Sequence, residues 1–102
     1  MSLPVEAILE HAGPVSEKLR SLAHPTRLRI LCSLMEGEKS VMELTRFCGI
    51  SQSAMSQFLG RMKQEGLVES RREQQFVYYS FADPKLVRLL RAIRDIYCRK
   101  GG

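Results

Sequence analysis

The sequence has no apolar run near the length of about 18 residues that a membrane-spanning helix needs. It does not open with a basic segment followed by an apolar core, so we expect no secretory signal peptide. It also has no repeats, no low-complexity stretch and no linker, which favours a single domain over residues 1–102. We therefore expect a soluble cytoplasmic protein. Thiols are kept reduced in the cytoplasm, so a disulfide in this protein would be regulatory rather than structural.

The net charge of +5 lies in one part of the chain. Residues 1–39 carry five basic and five acidic side chains, whereas residues 40–102 carry eleven basic and six acidic ones. Lys and Arg side chains displace counterions from phosphates, so a basic half on a small domain favours nucleic acid as a partner. A solvated surface with excess Arg would have the same composition, and charge alone does not separate the two interpretations.

Apolar periodicity and capping residues predict a mainly helical chain with one small β-hairpin. The predicted elements are a first helix over Val5–Leu22, a second from His24-Pro25 to Gly37, a third capped by Ser40 and ending at Gly49, a fourth over Gln52–Gln64, strands Leu67–Arg72 and Phe76–Phe81 around the polar tip Glu73-Gln74-Gln75, and a last helix after Asp83-Pro84. Pro14 disfavours a continuous first helix, so we expect an interruption near Gly13-Pro14, with the ordered part beginning at Val15.

Helix, short turn, helix and hairpin in this order form a winged helix-turn-helix. The fourth helix carries uncharged amides and hydroxyls opposite its apolar face, and such side chains can hydrogen-bond base edges in a major groove. The residues predicted to contact DNA are Gln52, Ser53, Ser56, Gln57 and Arg61 on this helix, and Arg71, Arg72, Gln74 and Gln75 on or near the hairpin. A polar helix face without a ligand is the alternative, which the adjacent hairpin and the basic half of the chain disfavour.

Four segments of the chain resemble the ArsR/SmtB family of bacterial repressors. They are Leu22–Leu31, Ser51–Leu59, Glu65–Glu73 and Val77–Ser80, and the likeness around them covers about residues 15–98. The resemblance implies a winged-helix homodimer with the first and last helices at its interface. On the last helix, the residues expected at this interface are Leu86, Leu89, Leu90, Ile93 and Ile96.

The two metal sites that recur in this family have no match in the sequence. Where many members have a Cys-x-Cys pair, Leu44–Cys48 contains one thiol. The last helix has no histidine, since the only two in the chain are His11 and His24. We therefore expect no metal and no cofactor, because a closed zinc site needs about four ligands.

Cys32 and Cys98 match a dithiol subgroup of the family. That resemblance implies a sensor of reactive sulfur or oxidants, in which the two thiols are joined by a disulfide or by additional sulfur atoms. From the residues alone, Cys32 lies among Ile30, Leu31 and Leu34, which favours a place in the core. Cys98 lies near Arg94, Arg99 and Lys100, whose charges favour the reactive thiolate, and Cys48 is given no role.

Three other functions compete with a thiol-switched transcriptional regulator. A repressor of the same fold could sense a metal or an arsenical through an unusual set of cysteines. A winged helix that no longer reads DNA could serve as a protein-interaction module. A thiol enzyme is the least supported, because no histidine follows Cys48 or Cys98 to act as a base.

Overall fold

The computed structural model describes residues 4–98. Within this range, six helices and three strands follow one another: α1 Val5–Glu10, α2 Ala12–Leu22, α3 Pro25–Leu34, β1 Lys39–Ser40, α4 Val41–Cys48, α5 Gln52–Gln64, β2 Val68–Glu73, β3 Phe76–Phe81 and α6 Pro84–Tyr97. This is the predicted winged helix-turn-helix, with α4 and α5 as its helical pair and the β2–β3 hairpin as its wing. Among the described residues, no helix combines the length and the apolar character that crossing a membrane would require.

The first predicted helix is divided in two, but the break is not where proline suggested. It lies at His11, whose φ of −106° and ψ of 9° are not helical. Gly13 and Pro14 belong to the first turn of α2, and the carbonyl of His11 accepts the hydrogen bond from Val15 N–H at 3.0 Å. Proline is tolerated there because first-turn N–H groups have no partner within the helix. The expected helix start at Val15 is therefore wrong, because α2 begins three residues earlier, at Ala12.

Side chains at the helix starts fix where α3, α4 and α6 begin. Ser40 and Glu43 form the predicted capping box: Ser40 N–H donates to Glu43 Oε1 at 2.9 Å, and Glu43 N–H donates to Ser40 Oγ at 3.1 Å. Asp83 caps α6 by accepting from the N–H of Lys85 at 3.0 Å. His24 caps α3 through its Nδ1.

The sheet has a third strand that sequence patterning did not predict. Residues Lys39–Ser40 pair antiparallel with Tyr79 and Tyr78, so the strand order is β1-β3-β2. A two-residue strand has no apolar alternation that a sequence pattern could show. The hairpin itself runs one residue further than expected, with Glu73 paired to Phe76 and a tip of Gln74 and Gln75. Gln74 takes a positive φ of 59° at this tip.

One apolar core lies between the helices and the base of the sheet. Its fully buried side chains come from five elements and the residue before β2: Ile30, Leu31, Leu44, Met55, Leu59, Met62, Leu67, Val68, Leu86 and Leu90. The core therefore holds the inner face of α5 against the rest of the domain and leaves its outer face free. Burial of each such side chain contributes about 1.5–3 kcal/mol relative to exposure.

Candidate nucleic-acid interface and thiol pair

The outer face of α5 is exposed and carries no charge before Arg61. Met55, Leu59 and Met62 are fully buried on the inner face, and a spacing of about 3.6 residues per turn places Ser53, Ser56 and Gln57 on the other side. All five predicted DNA-contacting residues of α5 are exposed. Gln52 does not share the outer face as predicted: it lies seven residues before Leu59, on nearly the same side of the helix, and it lines a small groove with Met42 and Arg46 of α4.

Hydrogen bonds and packing hold α5 at both ends. At its start, Ser51 Oγ accepts from the N–H of Ala54 at 3.1 Å. Along its inner side, the ring of Phe58 lies 5.2 Å from the ring of His24. Near its end, Lys63 Nζ donates to Ser70 Oγ at 2.7 Å and so connects the helix to β2. Lys63 and Ser70 were not predicted, since nothing in the local sequence pairs them.

The wing presents Arg72, Gln74 and Gln75 to solvent. Arg72 has no hydrogen bond or ion pair with any other described side chain, so its guanidinium is available for a phosphate. Arg71 differs, because it is engaged in ion pairs with Glu38 and Glu73. The DNA contact of Arg71 stays a prediction, since its side chain is 49% exposed beside these two carboxylates. Glu38 lies 33 residues away in the sequence, which is why local patterning could not identify the pair.

Cys32 is exposed, which corrects its expected place in the core. The helix turns by about 100° per residue, so Cys32 lies nearly opposite Ile30, Leu31 and Leu34. Those three side chains are buried, and the thiol faces outward from α3. The apolar residues next to Cys32 in the sequence therefore did not indicate that it is buried. The helical period places it correctly on the exposed side of α3.

Cys98 is also exposed, at the residue that caps the end of α6. Partial burial raises the pKa of Cys32, and a negative charge on Cys98 would raise it further. Of the basic residues expected to activate Cys98, Arg94 is paired with Asp95 at 3.3 Å, while Arg99 and Lys100 lie outside the described residues.

The third cysteine has a different environment. Cys48 is 6% exposed within the core, and burial raises the pKa of its thiol. A buried thiol with a raised pKa is a poor nucleophile, since the thiolate is the reactive form. Across residues 4–98 there is no group of three or more His, Cys, Asp and Glu side chains placed to bind a metal ion.

Most of the exposed large apolar side chains among the described residues lie on the first two helices and the last one. They are Val5, Ile8 and Leu9 on α1, Val15 and Leu19 on α2, and Ile96 and Tyr97 on α6, while Met42 and Phe47 of α4 and Phe76 of β3 are exposed elsewhere. Leu89 and Ile93 are partly buried against the core. Leu86 and Leu90 are 2% and 1% exposed, so they pack inside the protomer and cannot lie on a dimer surface as predicted. The apolar residues of α6 thus divide between two environments: Leu86 and Leu90 face the core, and Ile96 and Tyr97 face solvent.

A helix-turn-helix followed by a two-stranded wing is the fold of a class of DNA-binding transcription factors. The chain belongs to the arsR family of bacterial regulatory proteins, whose sequence pattern matches residues 24–70 and whose members match most of its length. This confirms the predicted family and fold and identifies the chain as a transcriptional regulator.

Two relatives show how much of the chain this similarity covers. The biofilm growth-associated repressor of Agrobacterium fabrum is 40% identical over 96 residues, which are 94% of this chain and 82% of the relative. The transcriptional activator HlyU of Vibrio cholerae is 37% identical over 81 residues, which are 79% of this chain and 75% of the relative.

Solved structures agree with the fold over almost the full length of the chain. The transcriptional repressor BigR of Xylella fastidiosa superposes with a TM-score of 0.89 at 37% identity and covers 96% of this chain and 100% of that one. The homodimeric winged helix-turn-helix domain Mb0332 of Mycobacterium bovis has a TM-score of 0.76 at 27% identity, covering 100% of this chain and 94% of that one.

Proposed function

We propose that this chain is a homodimeric transcriptional regulator whose operator binding is switched by Cys32 and Cys98, in response to reactive sulfur species or other oxidants. The observation behind the proposal is that both thiols are exposed, Cys32 on α3 and Cys98 at the end of α6, whereas Cys48 is buried. A bond between them would join α3 to α6 within one protomer.

Operator binding is assigned to the outer face of α5 and to the wing. Gln52, Ser53, Ser56 and Gln57 are exposed and would act as donors and acceptors for base edges in the major groove. Arg72, with Gln74 and Gln75 at the tip, would contact phosphates or an adjacent minor groove. Arg61 completes the surface as a phosphate contact on α5.

The dimer is assigned to the exposed apolar surface of α1, α2 and α6. Large apolar side chains such as Ile8, Leu9 and Ile96 are 64%, 67% and 72% exposed in the isolated chain, and burying them against a second copy would remove them from water. The Mb0332 domain, which has the same fold, is homodimeric, and this supports a homodimer here. Two copies related by a twofold axis would present two α5 helices to successive half-sites.

The switching reaction is a two-electron oxidation of the thiol pair by an inorganic polysulfide. The thiolate of one cysteine attacks a sulfane sulfur, which forms a persulfide and releases a polysulfide one sulfur atom shorter. The second thiolate attacks the inner sulfur of that persulfide, forms the Cys32–Cys98 disulfide and releases hydrogen sulfide. The two thiol protons leave with the released sulfides, and the polysulfide accepts the two electrons.

The link would change the geometry of DNA binding rather than block the reading face. Cys32 belongs to α3 and Cys98 ends α6, next to the apolar dimer surface. Joining them changes the angle between the dimer base and the two α5 helices. These helices must match half-sites about 34 Å apart, so a small rotation weakens both contacts together.

We further propose that the bound dimer acts as a repressor, or as an anti-repressor that displaces another DNA-bound protein. Its relatives include both the biofilm growth-associated repressor and the transcriptional activator HlyU. In a reporter strain with the operator upstream, loss of the protein should raise transcription if it represses and lower it if it displaces a repressor.

The test of the proposal is mass spectrometry of the whole protein after treatment with inorganic polysulfide. A cross-link between the peptides that contain Cys32 and Cys98, with or without additional sulfur atoms, supports the switch. Parallel samples receive zinc or arsenite under reducing conditions, and operator binding is measured in each. Release of DNA by arsenite or zinc but not by polysulfide would assign the regulator to metal or arsenical sensing instead.

A further inference from the structure

Glu65, the residue that caps the end of α5, is held by two other helices. Arg27 of α3 donates from Nη1 to Oε1 of Glu65 at 2.9 Å and from Nη2 to Oε2 at 3.0 Å. Ser21 of α2 donates its hydroxyl to the same carboxylate. Arg27 Nη1 also donates to the backbone carbonyl of Ser21 at 3.2 Å, which closes a triangle of contacts. The end of the DNA-reading helix is thereby tied to α2 and α3 at once.

We call these contacts of Ser21 and Arg27 with Glu65 the tie; its geometry is fixed, and it is partly shielded from water. The side chain of Arg27 is 13% exposed and that of Glu65 is 36% exposed. Two parallel bonds between a guanidinium and a carboxylate fix their relative orientation as well as their distance. The guanidinium of Arg27, followed by the hydroxyl of Ser21, holds the pKa of Glu65 below its usual range, so the pair is ionised at neutral pH.

The tie lies where α2, α3 and α5 come together, and each of these helices has a proposed role. Along α2, Val15 and Leu19 belong to the exposed apolar surface assigned to the dimer. Along α3, Cys32 follows Arg27 by five residues, about 7.5 Å along the helix axis. Along α5, Gln57 and Arg61 precede Glu65 on the DNA-facing side. An open groove of about 1080 Å³ separates α2 from α5 beside this point, so little other packing joins the two helices there.

We propose that Arg27 and Glu65 are positioning residues that set the angle of α5 on the domain and transmit the thiol state of Cys32 to it. The first part concerns DNA reading alone, whereas the transmission rests on the proposed thiol switch. Neither residue needs to touch DNA, because a tie at the far end of α5 fixes where its first two turns point. Loss of the tie should therefore cost discrimination between operator and random DNA more than it costs non-specific binding.

The first experiment measures this discrimination in the reduced, full-length protein. Arg27→Ala, Glu65→Ala and the double variant are compared with wild type on an operator duplex and on a random duplex of equal length. Binding is read at a temperature at which circular dichroism shows each variant fully folded. The matched controls are Arg29→Ala, which removes an exposed charge from the same helix, and Glu69→Ala, which removes an exposed carboxylate from β2.

Each single variant should lower the ratio of operator to random affinity by about tenfold, within the range typical of coupled sites. The double variant should be no worse than either single one, because all three remove the same tie. Arg27→Lys should lower the ratio nearly as far as Arg27→Ala, since an ammonium keeps the charge but cannot form two parallel bonds. Equal losses on operator and random DNA, or additive effects in the double variant, would overturn the positioning role.

The second experiment tests transmission through the tie. Operator affinity is measured before and after polysulfide treatment in wild type and in Glu65→Gln, which keeps an acceptor for Ser21 and loses the charge. We expect the polysulfide effect in the variant to shrink by at least threefold relative to wild type. An undiminished effect would overturn the transmission role. If wild type itself does not respond, the thiol switch and the transmission role both fail, while the positioning role is decided by the first experiment.

Discussion

Arg71 of β2 donates from Nε and Nη2 to the two carboxylate oxygens of Glu38, both at 2.7 Å. A third bond of 3.1 Å reaches Glu73, and the guanidinium lies 4.8 Å from the centre of the Tyr78 ring. The pairing lowers the pKa of Glu38 and raises that of Arg71. Arg71 thus connects β2 to the segment before β1, and its neighbour Arg72 is the arginine that we propose as the phosphate contact.

Substitution of these two neighbours should therefore have different effects. Arg72→Ala should weaken binding to operator and random duplex alike and reduce the salt slope by about one, as expected for one lost phosphate contact. Arg71→Ala should instead lower the melting temperature and leave that slope nearly unchanged. Fluorescence anisotropy over a salt series, with thermal unfolding alongside, makes the comparison. A larger change of slope for Arg71→Ala than for Arg72→Ala would reverse the assignment.

Base reading by α5 is tested at Gln57. Gln57→Ala should weaken operator binding by about 1–3 kcal/mol and leave random-duplex binding almost unchanged. Gln64→Ala is the matched control: Gln64 is exposed two turns further along nearly the same face, at the end of the helix away from the base-reading turns. Equal losses in the two variants would contradict a reader confined to the start and middle of α5.

Much of this architecture follows from local sequence signals. Ser40 with Glu43, and Asp83 with Pro84, define helix starts because capping depends on residues within one turn of each other. Contacts between distant residues were not predictable in this way. The pair Glu38–Arg71 and strand β1 depend on tertiary packing that leaves no local pattern.

Burial of individual residues was the least predictable property. The apolar stripe of α6 gave no indication that Leu90 faces the protomer's own core while Ile96 is exposed. Cys32 was misplaced because its neighbours in sequence are apolar, although the helical period puts it on the opposite side from them. The polar face of α5 was easier to predict, since a surface helix with no charge before Arg61 is unusual and its period is regular.

The dimer surface is tested with a pair of substitutions on α6. Ile96→Glu adds a charge to a side chain that is 72% exposed in the isolated chain, so the protomer should stay folded while the dimer dissociates. Leu90→Glu places the charge in the core and should unfold the protomer itself. Sedimentation velocity and circular dichroism distinguish the two results. A tight dimer in Ile96→Glu would place the interface elsewhere.

The reactivity of Cys32 should depend steeply on pH. Burial holds its pKa above the ordinary value of 9.0, and only the thiolate attacks a disulfide reagent. In a protein carrying Cys48→Ala and Cys98→Ser, the rate of reaction with dithiodipyridine should rise about tenfold per pH unit from pH 6 to 8. Because burial remains when Cys98 is replaced, no plateau is expected in that range. A plateau near neutral pH would mean that Cys32 is an activated thiolate.

The central claim is that a link between Cys32 and Cys98 weakens operator binding. It is tested most directly by titrating the operator with reduced and with polysulfide-treated protein, in wild type, Cys48→Ala and Cys98→Ser. Alanine is chosen at position 48 because a serine would bury a hydroxyl in the core. We expect treatment to weaken binding by about 1–3 kcal/mol in wild type and Cys48→Ala, and to leave Cys98→Ser bound with its reduced-state affinity. Release of DNA by polysulfide-treated Cys98→Ser would contradict the account.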